Sequence, residues 1–80
     1  MKLYYKPIAL KQLRKLQKSD QKKLIRKLEL LISDPYVGKQ LKGEFTGLYS
    51  LRAWPYRIIY QIEDKTLVVY SISQRQGAYN

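Results

Sequence analysis

The spacing of apolar residues changes once along the chain, from a helical period to a strand period. Up to Ile32 the apolar side chains recur at intervals of three and four residues, which is typical of helices with one buried face. From Leu48 onward they alternate with other side chains, which is typical of strands. A helical part followed by a strand part predicts an α+β fold.

The N-terminal region predicts a short strand and then a first helix. Lys2–Tyr5 can form the strand. Pro7 suits the first turn of a helix, because its fixed φ angle is already helical. The helical pattern runs from Ile8 to about Gln17, and its apolar stripe consists of Ala9, Leu13 and Leu16.

A second helix is predicted between two local signals. Ser19-Asp20 indicates a break and a new N-cap. Ser33-Asp34-Pro35 ends the helix, because the residue before a proline disfavours the helical conformation. Between them, from about Asp20 to Ile32, the apolar positions of one buried face are Leu24, Ile25, Leu28, Leu31 and Ile32. The connection between the helices is short, which predicts an αα-hairpin.

Beyond a loop at residues 36–47, the strand part predicts an antiparallel meander. The predicted strands are Leu48–Trp54, Tyr56–Glu63 and Thr66–Ser73. Their connections are too short for anything but antiparallel pairing. We expect the helices to cover the face that carries Tyr56, Ile58, Tyr60 and Ile62, so that Arg52 and Arg57 lie on the opposite, open face.

The composition bounds the kind of protein this can be. Eighty residues fit one domain, residues 1–80. The chain has no cysteine and no histidine, which excludes disulfides and thiolate metal sites and removes the commonest general base. We therefore expect a protein of the reducing cytoplasm. No apolar run approaches the roughly 20 residues that span a bilayer, so no membrane-spanning helix is expected.

The strong positive charge predicts an anionic partner. Sixteen basic residues against six acidic ones give a net charge of +10, and such a field attracts polyanions. Nucleic acid is the first candidate, an anionic membrane surface the second and an acidic protein the third. Residues 1–27 hold ten of the basic residues. These could contact a phosphate backbone or simply form a solvated helix face, and the sequence leaves both open.

Four residues of the second half form a separate candidate group. Arg52 and Arg57 share a strand face by alternation, and Arg75 and Tyr79 lie just beyond the last predicted strand. Arginine suits phosphate because its planar guanidinium donates two parallel hydrogen bonds. The group therefore predicts a phosphate-binding site.

Three segments resemble the RelE/ParE superfamily of bacterial and archaeal toxins. They are Leu41–Arg52 (LKGEFTGLYSLR), Pro55–Tyr60 (PYRIIY) and Ile72–Tyr79 (ISQRQGAY). The resemblance spans essentially the whole chain and implies a RelE-like β-α-α-β-β-β fold. An arginine and a tyrosine after the last strand favour the RelE branch over the ParE branch.

The resemblance implies the toxin of a type II toxin–antitoxin pair. RelE-like toxins enter the ribosomal A site and cut mRNA without a metal: the ribose 2′-OH attacks the adjacent phosphate and the 5′-oxygen leaves. The sequence is compatible with this chemistry, because it has neither a carboxylate cluster for Mg²⁺ nor a histidine pair. We therefore expect no metal and no cofactor, and as partners mRNA, the ribosome and a cognate acidic antitoxin.

The resemblance also implies roles for individual residues. Arg57 matches the arginine that would hold the scissile phosphate, and Arg75 the one that would stabilise the transition state or the leaving oxygen. Tyr79 matches the C-terminal tyrosine, which would stack on a base or act on the 2′-OH. Arg52 matches a second basic position on the preceding strand.

Two positions depart from the family pattern. Ser50 stands where a Lys or Arg is common, and Gln74 where many relatives have His or Lys. Neither residue can carry a proton near neutrality. Any acid–base part would therefore fall to Tyr79 alone or to a neighbouring lysine. Lys39 and Lys42, in the loop before the sheet, are the candidate substitutes, and both are also expected to bind RNA or phosphate. We expect a slower or more ribosome-dependent enzyme.

Other interpretations stay open at this stage. The chain could be a ParE-like toxin that binds DNA gyrase and cuts nothing, or a toxin-fold protein that only binds its antitoxin. Phe45 and Trp54 could stack on bases, although core or partner-groove packing is the preferred interpretation. The pattern gives Tyr70 no role.

Overall fold

The computed structural model describes residues 1–74 and contains all the predicted elements in the predicted order, with one additional short strand. The helices are α1 (Pro7–Arg14) and α2 (Lys18–Ser33), and a 3-10 turn spans Gly43–Phe45. The strands are β1 (Lys2–Tyr5), β2 (Lys39–Gln40), β3 (Leu48–Ala53), β4 (Tyr56–Glu63) and β5 (Thr66–Gln74). The α+β fold with an αα-hairpin and an antiparallel meander is therefore confirmed. Neither helix in the described part of the chain is long and apolar enough to cross a membrane.

The break between the helices lies before the predicted position. α1 already ends at Arg14, and α2 begins at Lys18 with Gln17 as its N-cap, so the predicted N-cap at Ser19-Asp20 is wrong. The side-chain amide of Gln21 donates to the carbonyl oxygen of Leu16 at 2.8 Å, which satisfies a backbone group in the connection. Asp20 instead lies in the first turn of α2, where the helix dipole favours a carboxylate.

Two contacts tie the start of α2 to the turn between β3 and β4. The hydroxyl of Tyr56 donates to the Asp20 carboxylate at 2.8 Å. The Lys23 ammonium donates to the carbonyl oxygen of Trp54. The carboxylate that appeared to cap the helix in sequence is thus used for a tertiary contact.

The strands form one five-stranded sheet in the order β1-β5-β4-β3-β2. β1 is parallel to β5, and the other neighbouring pairs are antiparallel. β2 is only two residues long and pairs with β3, with Lys39 opposite Ser50. The sequence pattern predicted neither β2 nor the place of β1 in the sheet.

The helix hairpin covers the predicted face of the sheet. Tyr56, Ile58 and Tyr60 are buried there, and Ile62 packs at the margin. The helices contribute the buried residues Ala9, Leu13, Leu24, Leu28 and Leu31. Truncating such a leucine to alanine typically costs about 2–5 kcal/mol. The predicted apolar face of α2 was too wide, because Ile25 is 42% exposed.

A β-bulge in β5 redirects two side chains. Ile59 pairs with Ser71 and Tyr60 with Val69, which leaves Tyr70 as the extra residue. Val69 and Ile72 are both buried, although three positions apart, whereas Tyr70 and Ser71 line a cavity on the open face. The backbone N–H of Ile72 donates to the side-chain carbonyl oxygen of Gln12 in α1 at 2.7 Å. Because of the bulge, the adjacent residues Tyr70 and Ser71 both lie on the open face.

Candidate active site

The open face carries the predicted basic residues in two neighbouring rows. Arg52 of β3 lies directly opposite Arg57 of β4, and Lys39 of β2 lies directly opposite Ser50 of β3. Directly opposite residues of an antiparallel pair share a face, with Cβ atoms about 4.5–5.5 Å apart. The pairing therefore brings three cations from three strands to one area.

These three cations line one cavity. Its volume is about 340 Å³, and its lining residues are Val37, Gly38, Lys39, Leu41, Ser50, Leu51, Arg52 and Arg57. Arg57 is half-buried, whereas Arg52 and Lys39 are exposed. Partial burial strengthens the attraction between a guanidinium and an anion, because less solvent screens it. The cavity has the charge and the donors to bind a phosphate group.

The loop that carries Lys39 is held by Tyr60. The Tyr60 hydroxyl donates to the carbonyl oxygen of Pro35 at 2.8 Å and accepts from the backbone N–H of Gly38 at 3.1 Å. A Cβ atom at Gly38 would overlap this hydroxyl and lie 3.0 Å from two ring carbons. Tyr49 stacks on the Tyr60 ring with centroids 5.3 Å apart. A buried tyrosine thus holds the backbone of the loop directly before Lys39.

A second cavity adjoins the first. It has a volume of about 400 Å³ and is lined by Leu41, Lys42, Phe45, Leu48, Arg57, Ile59, Tyr70 and Ser71. Arg57 and Leu41 line both cavities. The second cavity is more apolar, since four of its lining side chains are hydrocarbon.

Phe45 and Trp54 do not join the core. Phe45 is 52% exposed and Trp54 is 59% exposed, so the expected core packing is wrong for both. Phe45 is the last residue of the 3-10 turn that begins at Gly43, and its side chain lines the second cavity instead of the core. Packing of either ring in a partner's groove stays a prediction.

The predicted site residues are distributed over these cavities. Arg57, Arg52 and Lys39 meet in the first cavity, and Lys42 joins Arg57 in the second. Arg75 and Tyr79 lie outside the described residues, so their roles stay predictions. Gln74 is the last residue of β5 and pairs with Tyr56.

Sequence reasoning missed Tyr70 and Ser71 as parts of this face. The signal was present: Val69 and Ile72 are apolar and three positions apart, which breaks the strict alternation of a strand. The position of Lys39 opposite Ser50 had no local signal, because β2 is too short to show alternation.

The described side chains of this face are suited to stabilising negative charge rather than to transferring protons. Lysine and arginine side chains surround Arg57, and no Asp or Glu among residues 1–74 lines either cavity. Tyr60 and Tyr56 lie on the covered face of the sheet, where burial raises the pKa of Tyr60 and donation to Asp20 raises the pKa of Tyr56. Neither phenol is therefore a base near neutrality. Preorganised cations can, however, stabilise the extra charge of a pentavalent phosphate.

Comparisons with known proteins agree with this fold. The family model of the ParE toxin of the parDE type II toxin–antitoxin system matches residues 3–79. A search of curated protein sequences gives no significant match.

Solved toxin structures share the fold over nearly the whole chain. The toxin–antitoxin complex RelBE2 from Mycobacterium tuberculosis matches with 28% identity and a TM-score of 0.84, over 92% of this chain and 96% of that one. The isolated E. coli RelE toxin matches with 28% identity and a TM-score of 0.81, over 98% and 87%. The YoeB–YefM complex from Staphylococcus aureus, at 21% identity and a TM-score of 0.79 over 91% and 94%, is similar in fold. The chain therefore belongs to the RelE/ParE superfamily of toxins of type II toxin–antitoxin systems.

Proposed function

We propose that this toxin is a ribosome-dependent mRNA interferase, a metal-independent endoribonuclease that a cognate antitoxin neutralises. The observation that carries the proposal is the position of Arg57. It is half-buried where two cavities meet, with Arg52, Lys39 and Lys42 around it. That arrangement suits the binding of one phosphate group in an RNA chain.

The proposed reaction uses the RNA as its own nucleophile. The ribose 2′-oxygen forms a bond to the adjacent phosphorus as its proton is removed, and the bond from phosphorus to the 5′-oxygen breaks. The products are a 2′,3′-cyclic phosphate and a 5′-hydroxyl, which takes up a proton. Arg57 holds the non-bridging oxygens, whose negative charge grows in the transition state. Positioning of the 2′-oxygen in line with the leaving group supplies the rest of the rate enhancement.

Arg75 and Tyr79 complete the proposed catalytic group. They follow β5, whose last residues lie beside Arg57 in the sheet: Ser73 is the partner of Arg57 in the β4–β5 pair. Arg75 would stabilise the transition state or the leaving oxygen. Tyr79 would stack on a base or accept the 2′-OH proton, and the latter requires nearby arginines that lower its pKa.

The register of β2 supports the proposal that Lys39 supplies the positive charge that Ser50 lacks. Lys39 is the direct cross-strand neighbour of Ser50 on the open face, so its ammonium can reach the space that a longer basic side chain at position 50 would occupy. Lys39 would therefore contribute a cation that Ser50 lacks. A lysine from a two-residue strand is less constrained than one in β3, which agrees with a slower enzyme.

The proposed partners follow from charge and from the similar structures. RelBE2 from M. tuberculosis and RelBE from E. coli, at 27% identity, are complexes with antitoxins. A net charge of +10 favours an acidic antitoxin segment that covers the open face. The lysines of α1 and α2 would add general attraction to ribosomal RNA.

A ParE-like gyrase inhibitor is the second candidate. The observation in its favour is that the matching family model is that of the ParE toxin. A gyrase inhibitor needs no phosphate site on the open face, so its activity would not depend on Arg57.

Two assays on the same preparations separate the candidates. mRNA 5′ ends are mapped by primer extension after brief expression of the wild type, Arg57→Ala and Arg26→Ala, with and without the neighbouring antitoxin gene. Supercoiling by DNA gyrase is measured in parallel. Arg26 is an exposed arginine of α2 and serves as the matched control. We expect new 5′ ends with the wild type and Arg26→Ala but not with Arg57→Ala, and no gyrase inhibition.

Two other outcomes would contradict the proposed nuclease activity. Gyrase inhibition without new 5′ ends would establish the second candidate. Harmless expression with neither effect would indicate a protein that only binds its antitoxin.

A further inference from the structure

The second cavity combines an apolar interior with a basic margin. Leu41, Leu48 and Ile59 form hydrocarbon walls, Lys42 adds a cation to the lining, and Arg57 is shared with the first cavity. Its volume of about 400 Å³ lies in the usual range for small-ligand sites. A ligand that fits must be largely apolar and must carry or adjoin negative charge.

Tyr70 gives this cavity a fixed aromatic wall. The bulge in β5 turns the ring to the open face, and its hydroxyl donates to the side-chain oxygen of Gln61 at 2.8 Å. The Lys6 ammonium lies 4.4 Å from the ring centroid, a cation–π distance. Lys6 and Tyr70 both line the neighbouring cavity at β1, so Tyr70 separates that cavity from the second one.

Phe45 is the other aromatic residue of the cavity. It ends the 3-10 turn Gly43–Phe45, and the Thr46 hydroxyl donates to the carbonyl oxygen of Gly43 across that turn at 2.6 Å. Phe45 is about half exposed and also lines the cavity. A large exposed ring at the mouth of a basic cavity is a typical platform for base stacking.

The two cavities adjoin each other, because Arg57 and Leu41 line both. In a nucleotide, one ribose joins the base to the phosphate. A phosphate held by Arg57 therefore places an adjacent base at the second cavity.

From this adjacency we infer that the second cavity binds a nucleobase of the RNA, stacked on Phe45 and Tyr70. The inference rests on the proposed function, since it uses the phosphate at Arg57 as its anchor. Lys42 and Ser71 also line the cavity, and their polar groups would set the preference among bases. The cavity thus contributes to affinity and to the choice of codon, whereas Arg57 acts on the reacting phosphate.

The test compares binding to ribosomes that hold uncleavable mRNA. The A-site codon carries 2′-O-methyl groups, and in a parallel series one base of that codon is replaced by an abasic sugar, each position in turn. Dissociation constants are measured for the wild type, Phe45→Ala and Phe45→Tyr. Trp54→Ala is the control, since Trp54 is an exposed aromatic residue outside both cavities. The affinity of each toxin variant for the antitoxin is measured as well.

The inference predicts a base-dependent loss. Phe45→Ala should bind the intact codon about tenfold more weakly but should lose less than twofold on the codon that lacks the stacked base. Phe45→Tyr retains a ring and should bind like the wild type, as should Trp54→Ala. An equal loss on intact and abasic codons would overturn the inference. So would a loss of antitoxin affinity with unchanged ribosome binding, which would assign the cavity to the antitoxin.

Arg57→Ala in the same series separates this inference from the proposed function. It should weaken binding to intact and abasic codons alike, because its contact is with the phosphate. If it changes neither, the proposed phosphate site is wrong, and the Phe45 series still decides whether a base is bound.

Discussion

Replacing Tyr60 by phenylalanine removes one oxygen atom and two hydrogen bonds from the base of the site. The ring is fully buried, and its hydroxyl joins the carbonyl of Pro35 to the N–H of Gly38. Each such bond contributes about 0.5–1.5 kcal/mol net. Tyr60→Phe should therefore lower the free energy of unfolding by about 1–3 kcal/mol, a large share of the roughly 5–15 kcal/mol typical of small proteins.

Urea denaturation followed by circular dichroism measures this loss. Tyr4→Phe is the matched control, because Tyr4 is 53% exposed and surface changes usually stay within about 0.5 kcal/mol. In thermal unfolding, a loss of 2 kcal/mol corresponds to roughly 8–16 °C for a chain of this size. A Tyr60→Phe variant as stable as Tyr4→Phe would refute the argument that this hydroxyl anchors the loop.

The same substitution should also affect the candidate site. Gly38 directly precedes Lys39, so a loosened loop leaves the lysine ammonium less well placed on the open face. mRNA cleavage by Tyr60→Phe should be slower at a temperature where the variant is fully folded. In a Lys39→Ala background the effect should shrink, since the group that the loop positions is then absent. Equal effects in both backgrounds would contradict the positioning role.

Three further predictions concern the same region and its tyrosines. Gly38→Ala should destabilise the protein by about 1–3 kcal/mol in urea denaturation, because the new methyl group overlaps the Tyr60 hydroxyl; an unchanged midpoint would contradict this. Lys39→Ala should slow single-turnover mRNA cleavage about tenfold, while Lys11→Ala, an exposed lysine of α1, should cut at the wild-type rate. The free energy of unfolding should fall as the pH rises above the ordinary tyrosine pKa of 10.0. Burial raises the pKa of Tyr60 in the folded protein, so the tyrosine of the unfolded chain loses its proton first. The decline should be shallower in Tyr60→Phe, and identical curves for the two proteins would contradict this prediction.

The parts of the fold with a strong period could be predicted from sequence. β4 has the predicted bounds, Tyr56–Glu63, because every second residue from Tyr56 to Tyr60 is buried against the helices. The same alternation placed Arg52 and Arg57 on one face, and the register confirms that they are direct neighbours. Where one face of a strand is buried, the pattern determines the orientation of each side chain.

The remaining features depend on contacts between distant residues. β1 pairs with β5 through backbone hydrogen bonds. The side chains of Lys2–Tyr5 do not reveal which strand is the partner. Asp20 is a residue type favoured at N-caps, but its carboxylate accepts a hydrogen bond from the hydroxyl of Tyr56, 36 positions away. The bulge at Tyr70 is compensated by Gln12 of α1, which accepts the N–H of Ile72.

The candidate site was predictable only where it lies on regular strands. The arginines of β3 and β4 were placed correctly. The adjacency of Lys39 to Ser50 was not foreseen, because it depends on a two-residue strand. The exposure of Phe45 arises from a 3-10 turn whose Gly43 has a φ of 71°, and composition alone does not reveal such a turn.

The most direct test of the central claim is the single-turnover rate of mRNA cleavage on programmed ribosomes, measured for the wild type, Arg57→Ala and Arg57→Lys. The end groups of the products are determined in the same reactions, in the presence of a chelator. We predict 2′,3′-cyclic phosphate ends, a rate for Arg57→Ala lower by a factor of about 10²–10³, and incomplete rescue by lysine, which cannot donate two parallel hydrogen bonds. Undiminished cleavage by Arg57→Ala, or no cleavage by the wild type, would contradict the account.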